Sequence, residues 1–137
     1  MFGTIRIAAA LLVRPDGRTL LVRKRGVQAF MQPGGKIEPG ETPQAALMRE
    51  LQEEIGFDPE HGSCEALGEF TAEALNEPGR LVLAHVFLVR TQRTDFRPSG
   101  EIEEVRWISP FDPGPVAMAS LTADHILPFY RALSGGS

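Results

Sequence analysis

The chain has little to hold it together apart from its own packing. Cys64 is the only cysteine among 137 residues, so no internal disulfide can form, and the length must supply one sizeable core. A lone thiol fits a reducing compartment, and Cys64 reads as a small apolar side chain in a strand rather than a nucleophile. Long apolar runs are absent. The longest, Ile7 to Val13, is too short to cross a bilayer. The first residues lack the basic region and cleavage pattern of a leader, so the expectation is a cytoplasmic protein with no membrane contact. Excess positive charge is missing too. Fourteen Lys and Arg against eighteen Asp and Glu give a net charge of −4 and a pI near 5.4, which argues against binding a nucleic-acid polymer. A small polyanion would have to be met by local basic residues or by metal. No internal repeat and no linker breaks the chain, so residues 1–137 read as one domain, monomeric or homodimeric.

Strand signals come first along the chain. Thr4 to Val13 and Thr19 to Arg25 flank a Pro15-Asp16-Gly17 turn, which predicts a β-hairpin. The nearly continuous hydrophobicity of the first run predicts a central strand covered on both faces. Phe30 to Gln32 reads as a short strand leading into Pro33-Gly34-Gly35. Glu65 to Leu75 and Arg80 to Thr91 form a second hairpin around Asn76-Glu77-Pro78-Gly79, with His85 in a core or cross-strand role. A polar loop follows to Pro98. Trp107 anchors a further short strand. A final helix is predicted from Leu121 to about Leu133, with Thr122 as N-cap, Pro128 as a kink and a frayed tail over Ser134 to Ser137.

The most informative stretch is Gly35 to Phe57. Thr42-Pro43 is an N-cap followed by proline at the first helical position, so a helix is predicted from Pro43 to about Ile55. Leu47, Met48, Leu51 and Ile55 fall on one arc of its surface, and Glu50, Glu53 and Glu54 crowd the arc beside it. Carboxylates at this spacing repel unless a cation sits among them. Oxygen ligands of this kind suit Mg²⁺, with Mn²⁺ as the alternative. Gly35, Glu41, Arg49, Glu50, Glu53, Glu54 and Gly56 stand at fixed intervals, with apolar Leu51 and Phe57 between and after them. Typical residue usage would give this pattern in fewer than about one window in 10⁸. A solvated, Glu-rich helix explains any one of the glutamates but not the register of the whole.

This pattern resembles the Nudix box, and Pro33 to Gly56 is particularly similar to the MutT type. The resemblance implies an α/β fold, an α/β/α sandwich with a mixed sheet between the box helix and the C-terminal helix. It also implies a metal-dependent hydrolase that cleaves a nucleoside diphosphate linked to another group. By position, Glu53 and Glu54 are expected as metal ligands, and Glu50 as a ligand or as the base that activates water. Gly35 is expected to offer a carbonyl to the metal, and Glu41 to ligate or to hold the loop. Arg49 is expected to orient a carboxylate. A further acidic ligand from outside the box is sought among Glu101, Glu103 and Glu104, with Glu103 and Glu104 preferred over the alternative that both are exposed charges.

Substrate contacts are less determined. Arg23, Lys24 and Arg25 read equally as a phosphate-binding cluster and as a solvated strand end. Thr122 and Asp124 could contact the substrate, or serve as an N-cap and a surface charge. The expected partner is a small phosphorylated nucleotide, such as a nucleoside triphosphate. A noncatalytic nucleotide sensor on the same fold is the competing reading, and the intact acidic box counts against it.

Overall fold

The computed structural model describes residues 3–59, 63–74 and 79–135. Strand β1 (Thr4–Val13) is the axis of a mixed sheet, and every residue from Ala8 to Val13 is buried. It lies parallel to β5 (Leu81–Arg90), in register from Thr4 opposite Leu81 to Val13 opposite Arg90. β4 (Cys64–Glu73) pairs antiparallel with β5 and forms one edge. Beyond β1 come β2 (Thr19–Lys24) and then β6 (Ile102–Ile108). The turn expected at Asn76–Gly79 falls mostly on residues 76–78, outside the described residues.

The first hairpin forms as predicted, but its strands separate early. Val13 pairs with Thr19, after which β2 runs antiparallel to β6. The vacated edge of β1 is taken by β3 (Gly34–Lys36), with Ala8 opposite Gly35 and Ala9 opposite Gly34. The expected strand at Phe30–Gln32 is corrected here. Met31 makes only an isolated bridge to Val22, and regular pairing starts at Gly34, where a chain without Cβ can lie against β1.

Strand alternation sends side chains to two layers. Ala8, Ala10, Leu12, Leu20, Val22 and Val89 meet Ala46, Leu47, Leu51 and Ile55 of helix α1 (Pro43–Ile55). On the opposite face Leu11, Val13, Val86 and Leu88 meet Ile126 and Tyr130, while Leu21 and Phe30 meet Leu127. The result is the anticipated α/β/α sandwich. Cys64 packs against the α1-side core, His85 sits beside its cross-strand partner Glu69, and the Trp107 indole donates to the Thr94 carbonyl.

The C-terminal helix departs from expectation at its start. Leu121–Ile126 is wound as a π-helix, with the Leu127 N–H reaching the Thr122 carbonyl five residues back, and α2 (Leu127–Gly135) continues from it. Thr122 is therefore inside the helix and not its N-cap. The wide turn directly precedes Pro128, which has no N–H to donate to the carbonyl four residues before it. α2 extends to Gly135, past the expected end near Leu133; residues 136–137 lie outside the described residues.

Leu51 is fully buried where α1 crosses the sheet. Leu51→Ala is expected to cost about 2–5 kcal/mol of stability, read as a lower urea midpoint with an unchanged denaturation slope.

Candidate active site

Helix α1 starts and stops where its sequence dictates. The Thr42 hydroxyl accepts the Ala45 N–H at 3.1 Å, Pro43 opens the first turn, and Gly56 closes the last at φ 62°. Burying Leu47, Leu51 and Ile55 rotates the neighbouring arc toward β3 and sets its three glutamates at different depths. Glu54 is 5% exposed, the Glu50 side chain is partly buried, and Glu53 reaches into solvent. All three sit toward the C-terminal end of α1, whose last turn carries no basic residue, so the helix dipole adds to their mutual repulsion.

β3 receives the two inner carboxylates. The Gly34 N–H donates to Glu54 Oε1 at 2.9 Å. At Gly35, a Cβ would stand 2.5 Å from Glu50 Oε2, so the missing side chain is the space that the Glu50 carboxylate fills. Burial, with Glu50 and Glu101 nearby, raises the Glu54 carboxyl to about 8 against the pull of the Gly34 N–H and Lys24.

Arg49 organises the loop before the helix. Its Nε and Nη2 donate to the two oxygens of Glu41 at 2.8 and 2.9 Å, Nη1 donates to Glu50 at 2.7 Å, and Nη2 also reaches the Lys36 carbonyl. Glu53 lies 3.6 Å from the same guanidinium. Glu41 accepts the Glu38 N–H as well, and the Arg49 hydrogen bond is the main cause holding its carboxyl down to about 2. Both Glu41 oxygens are thus hydrogen-bonded to Arg49, and one of them also to the loop backbone.

Glu38, Arg49, Glu50, Glu53, Glu54, Gly100 and Glu101 line a hollow of about 510 Å³. Glu101 arrives because the loop before it packs on the end of α1. Ser99 N–H donates to the Glu54 carbonyl, and a Cβ on Gly100 would meet the Glu53 carbonyl at 3.1 Å. Glu103 and Glu104, the preferred candidates, stand apart from this hollow. Glu103 pairs with Arg25, and Glu104 pairs with Arg23 and Arg106, neither at the hollow. The turn residues Pro98-Ser99-Gly100 just before Glu101 were the available signal for the residue that is there.

The basic cluster divides between surroundings. Lys24 lies 4.0 Å from Glu101, beside the hollow. Arg23 donates to the Val27 carbonyl and lies over Phe30 on the α2 side, and Arg25 is exposed. Thr122 is fully buried with its hydroxyl on Gln32, and Asp124 is exposed on the helix, so neither joins the acidic group. Among the described residues no three His, Cys, Asp or Glu already stand in ligating arrangement. Arg49 occupies one side of the carboxylates, drawing Glu50 and Glu53 to itself.

A NUDIX domain model matches residues 3–130. The chain belongs to the NUDIX family. It is 44% identical over 57 residues to the 8-oxo-dGTP diphosphatase of Escherichia coli strain K12, an alignment covering 38% of this chain and 44% of that enzyme. A MutT-like protein of Streptomyces ambofaciens is 33% identical over 102 residues, 74% of this chain and 62% of the relative. The chain therefore spans less than two thirds of these curated relatives. The crystal structure of a MutT NUDIX hydrolase from Burkholderia pseudomallei superposes with a TM-score of 0.74 at 25% identity, covering 88% of this chain and 94% of that one. No helix among the described residues is long and apolar enough to cross a membrane.

Two outcomes test this NUDIX geometry. The folded Glu54 carboxyl titrates near 8, above its ordinary 4.5, so the folded state binds the extra proton between these values. Its contribution to stability is complete below about pH 4.5 and is lost as pH rises through 8. In chelator, thermal melts from pH 5 to 8.5 should show wild type losing stability relative to Glu54→Gln. The second outcome contrasts neighbouring glycines. At Gly34, φ is +146° and a Cβ would fall on the Ala8 carbonyl and within 2.8 Å of Ala9 Cα, so Gly34→Ala should cost about 2 kcal/mol or more. Gly35→Ala need only push aside the flexible end of Glu50 and should stay within about 1 kcal/mol in urea titrations.

Proposed function

We propose that this NUDIX chain hydrolyses a diphosphate bond in a small nucleotide-type substrate, with a divalent cation, Mg²⁺ first and Mn²⁺ second. The observation that carries this reading is the deeply buried Glu54 grouped with Glu50, Glu53 and Glu101 around one hollow. The carboxylates there outnumber the described cations beside them, Lys24 and Arg49, and need positive charge from elsewhere. The donor set is all oxygen, which fits a hard divalent ion. The diphosphatase name of the Escherichia coli relative supports the reaction class.

Glu53 and Glu54 would hold the cation, with Glu101 as the further acidic residue and the Gly35 carbonyl as a backbone candidate. The ion would screen the diphosphate charge and make water more acidic. Glu50, held by Arg49 and pressed against Gly35, is assigned the proton of the attacking water. The water oxygen bonds to phosphorus, the bridging P–O bond breaks, and the departing phosphate carries away its electron pair. Arg49 acts by positioning, since its fork is spent on Glu41 and Glu50 rather than open to phosphate. Lys24 is assigned the phosphate oxygens, a reading supported by its position beside Glu101 at the hollow.

Product chromatography on a panel of nucleoside triphosphates, dinucleotides and 5′-triphosphorylated RNA, with Mg²⁺ or Mn²⁺, tests the reading. Turnover should vanish in chelator and fall at least about a hundredfold in Glu53→Gln and Glu54→Gln. Full turnover in both variants, or nucleotide binding with no hydrolysis, would overturn it.

A further inference from the structure

The segment that joins β5 to β6 is polar, and among residues 92–101 Phe96 alone is buried. Its ring meets Phe57 edge-on at 4.9 Å and lies 6.2 Å from Trp107, with the Arg93 guanidinium 4.6 Å over it. Phe57 directly follows Gly56, which closes α1, and Trp107 belongs to β6. One aromatic side chain thus fills the space between the acidic end of the helix and the strand that follows Glu101. The loop is tied to both walls of that space. The Trp107 indole donates to the Thr94 carbonyl, and Arg93 Nη1 reaches the Gly56 carbonyl at 3.5 Å.

The Glu101 side chain is 83% exposed, and Lys24 lies 4.0 Å from it. Its place at the hollow is therefore set by its backbone. The Glu101 carbonyl accepts the Arg25 N–H, and the Ser99 carbonyl accepts the Ile102 N–H. The Ser99 N–H in turn donates to the Glu54 carbonyl, one of the last acceptors of α1 that have no partner inside the helix. Gly100 permits this close approach. Its φ is +58°, and a Cβ would stand 3.1 Å from the Glu53 carbonyl. The turn before Glu101 thus rests on the backbone of Glu53 and Glu54, the same two residues whose side chains face Glu101 across the hollow.

We propose that Phe96 and Gly100 are positioning residues that hold Glu101 at the acidic hollow before a cation arrives. The inference rests on the hydrolase reading above, with Glu101 as its further acidic residue. Phe96 sets the spacing between the end of α1 and β6, and Gly100 sets how closely the turn lies on the helix. Neither touches cation or substrate. Without the wedge, the exposed residues around it have no apolar anchor, and binding a cation must also order the loop.

Free Mn²⁺ counted by electron paramagnetic resonance, with no substrate present, reads the cation affinity of each folded variant. Phe96→Ala and Gly100→Ala should each raise Kd about tenfold, as Glu101→Gln does. Phe96→Leu keeps an apolar wedge and should stay within about threefold of wild type. In a Glu101→Gln background neither Phe96→Ala nor Gly100→Ala should raise Kd further, because the group they position is gone. A side chain that served folding alone would lower the melting temperature and leave Kd where it was. Thermal melts identify any variant that fails to fold; Phe96→Val then replaces Phe96→Ala, and Gly100→Ala tests the turn with the aromatic group intact. A Kd unmoved by the Phe96 and Gly100 variants, or raised equally with and without the Glu101 carboxylate, overturns the positioning role alone. A Kd unmoved by Glu101→Gln removes Glu101 from the cation and this inference with it. Absence of wild-type turnover on every substrate of the panel overturns the hydrolase reading, a failure kept separate because the Mn²⁺ measurement needs no substrate.

Discussion

The arrangement depends on one contact, the Gly34 N–H on the Glu54 carboxylate. It ties the buried end of α1 to β3, and β3 is itself held along β1 by Ala8 opposite Gly35 and Ala9 opposite Gly34. Two consecutive positions without side chains allow this approach: one lets the backbone lie on β1, and the other leaves room for Glu50. The strand that completes the sheet and the strand that shapes the acidic hollow are therefore the same three residues. Packing and chemistry cannot be adjusted separately there.

Charge is managed by division rather than by neutralisation. Arg49 takes Glu41 as a two-pronged partner and uses a remaining nitrogen on Glu50, so the loop before the helix and the helix itself share one guanidinium. Glu54 receives no such partner and sits in the least polar place of the set, where burial and neighbouring carboxylates push its carboxyl up to about 8. A protein that stores repulsion at one buried side chain has a strong interest in whatever positive group arrives there.

Legibility in the sequence followed the range of the interactions. The α1 boundaries were readable because cap, proline and stop glycine act within a few residues of where they stand. The central position of β1 was readable from its unbroken apolar run. β3 was not, because a Gly-Gly-Lys segment has no strand propensity and pairs only through distant β1. Choosing among Glu101, Glu103 and Glu104 required knowing that the 99–101 loop packs on the end of α1 and that β2 has an irregularity between Arg23 and Lys24. Thr122 looked like a cap because its partner, Gln32, lies ninety residues away in the chain.

The parallel pairing of β1 with β5 has a consequence for how the molecule is made. β1 leaves the ribosome well before β5, with apolar side chains destined for both faces, since the strand that covers its long edge begins only at Leu81. Its other neighbours give partial shelter, since β2 touches it at the hairpin base and β3 over three residues. At about 5–20 residues per second, synthesis leaves this apolar segment without its main partner for several seconds. Non-local parallel pairing of this kind is slow to form, so β1 takes its place in the sheet late relative to its synthesis.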